Sequence, residues 1–297
     1  RVPRGRYIQL HIRLETDTLW DFARLDWLEI QTSPLLADRV IGEIATVDQL
    51  QPDSKVIQVA AGEVTEFLLD LRAEFSGTGQ TGFDAVRLGL PSAGKLLGLQ
   101  IGEPLTVVEP DSVVDEDGDL VVYLPQPLGP DAENKLRLRL ETAVYGASDQ
   151  FRAEVFDRRS SSLPQGVEDG DASEGLGTDQ LRVLVESGTL KSVLSEVAMT
   201  PTTFTPQGDG INDEVEITYT LFSVLNAVEV KIELLTLAGQ RVRRLSGGVQ
   251  GAGRHTLRWD GRDNAGQIVA PGVYLARIAV DTDRGAIVRL GSIAVAY

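Results

Sequence analysis

Apolar side chains recur at every second position along most of this chain, and turn-forming residues interrupt them at short intervals. In residues 7–14 the alternation runs Ile8, Leu10, Ile12, Leu14. Similar segments follow at 25–30, 39–44, 66–75, 85–90, 120–124, 135–144 and 151–156. A period of two puts successive side chains on opposite faces of a strand, so these segments read as strands with one face in a core. Ser76-Gly77-Thr78-Gly79, Glu116-Asp117-Gly118 and Gly129-Pro130-Asp131 supply the turns between them. The one helix candidate is 18–28, whose Trp20, Phe22 and Leu25 also fit a loop followed by a strand. The expected class is all-β: a β-sandwich region followed by an Ig-like or fibronectin III-like sandwich.

Two domains are expected, an acidic sandwich over 1–198 and a second over 199–297, with the boundary near Met199-Thr200-Pro201. Residues 160–180 hold four glycines, five acids and no basic residue, which reads as a flexible acidic loop. The strand patterns at 181–185 and 192–197 then read as returning to complete the first domain. A division of 1–198 into two smaller sandwiches near 102–109 fits the same pattern, and both remain open at this point.

Charge and composition narrow the function classes. The formal charge is −16. Residues 199–297 carry ten acids and ten bases, so 1–198, with 34 acids and 18 bases, hold the whole excess. Such a surface repels nucleic-acid phosphates and anionic lipid. No apolar run approaches the length of a membrane span. With no cysteine, thiol chemistry and thiolate metal sites are out, and His11 and His255 are too few for a multi-imidazole site. Arg1 to Gly5 lack the apolar segment of a signal peptide, so an export leader would lie outside this numbering.

From Phe204 the chain reads Phe-Thr-Pro-Gln-Gly-Asp-Gly-Ile-Asn-Asp, then alternates through Val215–Leu221 and again through Val228, Val230, Ile232 and Leu234. Trp259-Asp260-Gly261-Arg262-Asp263-Asn264-Ala265-Gly266 follows, and Pro271-Gly272-Val273-Tyr274 opens another strand. Alternation puts Trp259 on the face of Leu257 as a core anchor. Asp260-Gly261 and Asn264-Ala265-Gly266 tolerate positive φ in turns. Together the two motifs resemble the Ig-like domain family named after the flagellar hook-capping protein (FlgD-type), and related C-terminal modules of secreted and gliding-associated bacterial surface proteins. The resemblance covers about Pro201 to Tyr297. Thr236-Leu237-Ala238-Gly239 stands where the gliding-type modules carry Asn-Arg-Trp-Gly, and the lysine-rich end of sorting signals is replaced by Ala294-Val295-Ala296-Tyr297. The resemblance therefore implies a structural module and not a secretion signal.

Motifs that could carry chemistry each have a plainer reading. Gly89 to Lys95 has phosphate-loop spacing, but Leu96 replaces the metal-binding hydroxyl and a strand follows. Gly77-Thr78-Gly79-Gln80-Thr81-Gly82 matches a dinucleotide fingerprint by letter but lacks a βαβ unit. Asp115-Glu116-Asp117-Gly118-Asp119 has an incomplete calcium-ligand set and reads as an acidic hairpin turn. Asp209, Asn212 and Asp213 crowd hard oxygen donors into a Gly-rich turn, which fits either a Ca2+ ion or an Asx-rich turn. No other cofactor is required. Abundant acids could form a glycosidase pair, which needs two carboxyls held about 5–9 Å apart in a cleft. Trp20 and Trp27 read as packed core.

These readings converge on a non-enzymatic scaffolding protein outside the bacterial cell or on its surface, able to serve as a subunit of a filament or surface assembly through edge strands at 7–14 and 287–295. Its expected partners are copies of itself or other surface proteins, with no nucleic acid and no membrane insertion. The alternative is a carbohydrate- or surface-binding adhesion module.

Overall fold

The computed structural model describes residues 11–15, 24–30, 33–76, 79–131, 134–189, 192–224, 226–282 and 285–297. Contacts divide the chain into two units, Arg1–Ser33 and Pro34–Tyr297.

In the first unit, residues 11–15 and 24–30 carry no regular secondary structure. The strands expected over 7–14 and 25–30 are therefore absent from the described part, and residues 7–10 and 18–23, with Trp20, lie outside it. Alternation makes a strand only where a ladder partner takes up the backbone groups, and none is described here. Trp27 is 76% exposed, with Leu25, Leu28 and Ile30 exposed beside it. The packed-core expectation for Trp27 is corrected.

The second unit opens with a sandwich of β1 (Arg39–Thr46), β2 (Ile57–Val59), β3 (Val64–Glu74), β4 (Phe83–Gly89), β5 (Lys95–Ile101), β6 (Thr106–Val108), β7 (Ser112–Glu116), β8 (Asp119–Leu128), β9 (Lys135–Ala143), β10 (Ser148–Gln150), β11 (Arg152–Phe156), β12 (Gln165–Gly166), β13 (Glu168–Asp169) and β14 (Arg182–Val185). One sheet runs β13-β1-β3-β9-β5-β6 and the other β12-β11-β4-β8-β7, with a small β10-β14-β2 sheet between chain segments far apart in sequence. A single core joins them, including Ile44, Phe67, Leu69, Val86, Val122, Leu138 and Phe151. Since β5 and β6 pair within the same sheet as β1 and β3, the chain is not divided near 102–109.

Burial on β1 is nearly continuous from Val40 to Thr46, where a one-sided strand would alternate. The reason is a third layer. Residues 165–169 first form edge strands, β12 on β11 and β13 in parallel on β1, and Gln165 reaches the backbone of Leu36 and Ala37. Residues 172–179 then lie across the outer face of the first sheet, where Leu176 packs with Ala45 and Leu68. The flexible-loop expectation for 160–180 is thus corrected. Its Gly and Asp content serves tight turns against a sheet.

The second sandwich is built from β15 (Leu194–Thr200), β16 (Thr203–Phe204), β17 (Val215–Leu221), β18 (Val228–Thr236), β19 (Arg241–Gln250), β20 (Gly253–Trp259), β21 (Gly272–Thr282) and β22 (Gly285–Val295). Its sheets run β15-β17-β20 and β16-β22-β21-β18-β19. β15, expected to complete the first domain, instead pairs with β17, and Leu194 sits in the second core. The apolar face of β15 finds its complement there. β22 is paired with β21 along its whole length, and with β16 only at Ala294 and Val295.

Phe222, one residue beyond β17, is buried in the core of the first sandwich and not of its own. Its ring lies 5.6 Å from that of Tyr145. The Ser223 N–H donates to the Tyr145 carbonyl at 2.9 Å. Gly62 (φ +74°) makes room for it, since a Cβ there would stand 2.9 Å from the Phe222 ring. An aromatic plug from one module seated in the other removes the hinge that a polar linker would leave. Phe222→Ala is expected to cost about 3–5 kcal/mol and to split one calorimetric transition of the chain into two; an unchanged single transition would contradict the coupling.

Candidate functional site

The strongest concentration of buried charge lies on the covered face of the first sheet. Glu43 of β1, Asp70 of β3 and Arg137 of β9 are directly opposed in register, so one row crosses three strands. Side-by-side carboxylates repel, and both are buried. Asp70 is matched by a two-pronged guanidinium, with Nε and Nη2 of Arg137 each 2.6 Å from a carboxylate oxygen. The Ser173 hydroxyl donates to the same carboxylate. This pairing holds the Arg137 guanidinium above its ordinary value.

Among the described residues Glu43 makes no ion pair; the Arg137 guanidinium acts on it only through space. Its Oε1 accepts the N–H groups of Ala172 and Ser173 at 2.9 and 2.8 Å. Its Oε2 accepts from the N–H groups of Thr178 and Asp179 and from the Thr178 hydroxyl, each at 3.3 Å. Backbone amides pointed at one carboxylate solvate it as water would, and fix the loop that supplies them. A shallow cleft of about 300 Å³ borders this row, lined by Asp70, Arg137, Ser173, Glu103, Lys135 and Glu174 among others. Lys135 pairs with Glu103 at 2.6 Å. A third buried acid, Asp84, is held by the Arg158 N–H and Nε at 3.0 Å. Each of these acids is spent on holding chain to chain, so their chemistry here is clamping.

Sequence inspection did not single out Glu43, Asp70 or Arg137. The available signal was one acid amid the apolar run Val40–Ile44, since a charge inside a strand buried on both faces must have a dedicated partner. Glu43→Ala leaves several amides without an acceptor; a loss of about 3–5 kcal/mol in urea unfolding is expected. New protease cleavage within 165–180 is expected with it, and resistance equal to the parent chain would show the clamp to be dispensable.

Asp209, Asn212 and Asp213 are brought into one turn. Both Asp213 oxygens accept backbone N–H groups, from Gly208 and Gly210 at 2.6 Å, and Asp209 accepts that of Ile211 at 2.8 Å. Those amide bonds hold the Asp213 carboxyl below its ordinary value of 3.8. The turn is therefore built on its own amides. Among the described residues no group of three or more His, Asp or Glu side chains is placed to hold a metal. A Ca2+ ion at this turn would raise the melting temperature at millimolar calcium and chelator would reverse it; no shift would leave the turn as a purely Asx-based element.

The other motifs fall in connections. Asp117 and Gly118 both have positive φ and form the β7–β8 hairpin turn, where the Gly118 N–H donates to Asp115. Residues 90–94 link β4 to β5 across the sandwich, and the Ser92 hydroxyl donates to the Ala143 carbonyl at 2.8 Å. Gly77 and Thr78 lie outside the described residues; at Gly82 a Cβ would collide with the Leu128 carbonyl. His255 packs beside Tyr219, with its Nε2 2.9 Å from the Gly251 carbonyl.

In the C-terminal sandwich the two signature motifs form one corner. Trp259 is fully buried between Phe204 and Tyr274, with ring centroids 5.5 and 5.6 Å away, and its Nε1 donates to the Arg262 carbonyl. At Gly261 (φ +69°) a Cβ would stand 2.7 Å from Pro206. The Thr-Pro motif thus packs directly on the Trp-Asp-Gly motif.

Comparison with known proteins agrees with this geometry. Residues 205–284 match the FlgD Ig-like domain. No curated protein matches the chain. Similar solved chains include latent PorU from Porphyromonas gingivalis (13% identical, covering 86% of this chain and 34% of that one, TM-score 0.30). Others are purple acid phosphatase PPD1 from yellow lupin, Lupinus luteus (9%, 86% and 41%, TM-score 0.31), and the C-terminal domain of the Streptococcus pyogenes antigen I/II-family protein AspA (7%, 87% and 99%, TM-score 0.33). This chain spans less than half of PorU or the phosphatase. At such TM-scores these three alignments carry no argument about function. No helix among the described residues is long and apolar enough to cross a membrane. The C-terminal sandwich is an Ig-like module resembling the FlgD type.

Proposed function

We propose that the chain is a non-enzymatic structural protein of the bacterial surface or exterior, a scaffold subunit working beside copies of itself or other surface proteins. The observation that carries the reading is the use of its buried charge. Glu43, Asp70 and Asp84 are each bound by amides or arginines, so the polar investment goes into rigidity and not into a poised acid–base pair. The Phe222 plug, which makes a stiff tandem of the two sandwiches, and the FlgD-type match support the same reading. No cofactor is needed for such a role.

Trp27, exposed among Leu25, Leu28 and Ile30, favours a second reading as a carbohydrate- or surface-binding module. Electron microscopy and sedimentation of the purified chain test the first reading: ordered multimers are expected. A dispersed monomer under all conditions, together with retention on a glycan array that Trp27→Ala abolishes, would replace it with the second.

A further inference from the structure

Each sandwich ends laterally in two edge strands that are consecutive in sequence, one from each sheet. In the first sandwich these are β6 and β7; in the second, β19 and β20. Their charges are opposite. Between Lys95 and Lys135 there is no basic residue, while Glu103, Glu109, Asp111, Asp115, Glu116, Asp117 and Asp119 fall on or beside β6 and β7. From Gln240 to Trp259 there are five arginines, Arg241, Arg243, Arg244, Arg254 and Arg258, and no acid. Some of these charges are satisfied inside the chain: Asp111 by Arg158, Glu116 by Arg87, Arg243 by Asp260 and Arg258 by Glu216. Glu109 and Asp115 on one edge, and Arg244 and Arg254 on the other, are exposed and have no ion pair among the described residues.

The backbone points the same way. The outer edge of β19 is already occupied, because Asn264 donates to the Val242 carbonyl and accepts from the Arg244 N–H. No such cover lies on the outer edge of β20 or of β7 among the described residues. An open edge presents a row of unpaired N–H and C=O groups, and natural proteins commonly guard it with lysine or proline inside the strand. Ser112-Val113-Val114-Asp115-Glu116 carries neither, and the charges it does carry, Asp115 and Glu116, repel a like edge and admit a basic one. Exposed apolar side chains sit at the centre of β6 and β7 and beside the β19–β20 turn. Val107 is 75% exposed, with Val113 and Val114 exposed nearby, and Val249 is exposed beside the arginines.

We infer that the acidic β6–β7 edge of one copy docks on the basic β19–β20 edge of a second copy, with β7 adding to β20 as a further antiparallel or parallel strand. Main-chain bonds would give affinity and the opposed charges would give partner choice. The two surfaces differ, so the contact is heterologous and leaves one free edge of each kind on every pair. Growth is then open-ended unless the rotation closes a ring. The net charge of −16 opposes random association, and the arginine edge is the surface of opposite sign for an acidic edge to meet. This inference rests on the scaffold reading and names its contact.

The test uses the full chain and two double variants, Glu109→Lys/Asp115→Lys and Arg244→Glu/Arg254→Glu, with circular dichroism and melting to show that each folds. The parent chain is expected to form a concentration-dependent ladder of multimers in sedimentation velocity at about 0.05 M salt and to lose it at about 0.5 M. Each variant alone is expected to stay monomeric, with association weakened by at least about tenfold. Mixing the two variants sets the parent acidic edge of one against the parent basic edge of the other, and the introduced lysines against the introduced glutamates, so association from a 1:1 dimer upward is expected. Multimers of the parent chain that persist in both variants would overturn this contact and leave the scaffold reading standing. A parent chain that is monomeric throughout would overturn this contact and self-assembly with it, and a mixture without the 1:1 dimer would overturn the pairing.

Discussion

A buried carboxylate held by backbone amides organises much of the first sandwich. Glu43 lies in the middle of a strand buried on both faces, beside a second acid at Asp70. Left bare, either would be costly enough to keep the sheet face wet. Residues 172–179 remove that cost by turning their amides toward Glu43, while Arg137 takes Asp70. The third layer over the sheet exists because those two charges need it, and the layer in turn buries Leu176 against Ala45 and Leu68.

A comparable economy appears at the joint. Phe222 leaves the Ig-like module and completes the core of its neighbour, so the two sandwiches share a hydrophobic contact where a tandem protein would ordinarily have a linker. Adjacent backbone bonds, from Phe222 to Val193 and from Ser223 to Tyr145, fix the approach. Stiffness between modules follows from packing, and it orients the two charged lateral edges relative to one another within one chain.

The FlgD-type signatures have a structural basis of the same sort. Phe204 and Pro206 on one side, Trp259 and Gly261 on the other, meet in a single corner where Gly261 has no space for a side chain. Asp209 and Asp213, which look like ligands in the letters of the sequence, accept the amides of their own turn. A motif rich in Asp, Asn and Gly serves tight turns and hard cations equally well, and the amide bonds display the first of these uses.

By itself the sequence determined the class of fold and the C-terminal module. Period-two alternation, Asp-Gly turns and the anchor at Trp259 are local properties, legible wherever a strand has one wet face. The ordering of 160–180, the allegiance of Leu194–Thr200 to the second sandwich, the displaced Phe222 and the row Glu43, Asp70, Arg137 were decided in three dimensions. All depend on contacts between segments separated in sequence, such as Glu43 with Asp179, 136 positions apart. Composition reports that a segment is polar and Gly-rich; whether those polar groups face water or a buried carboxylate is set by what folds on top of them.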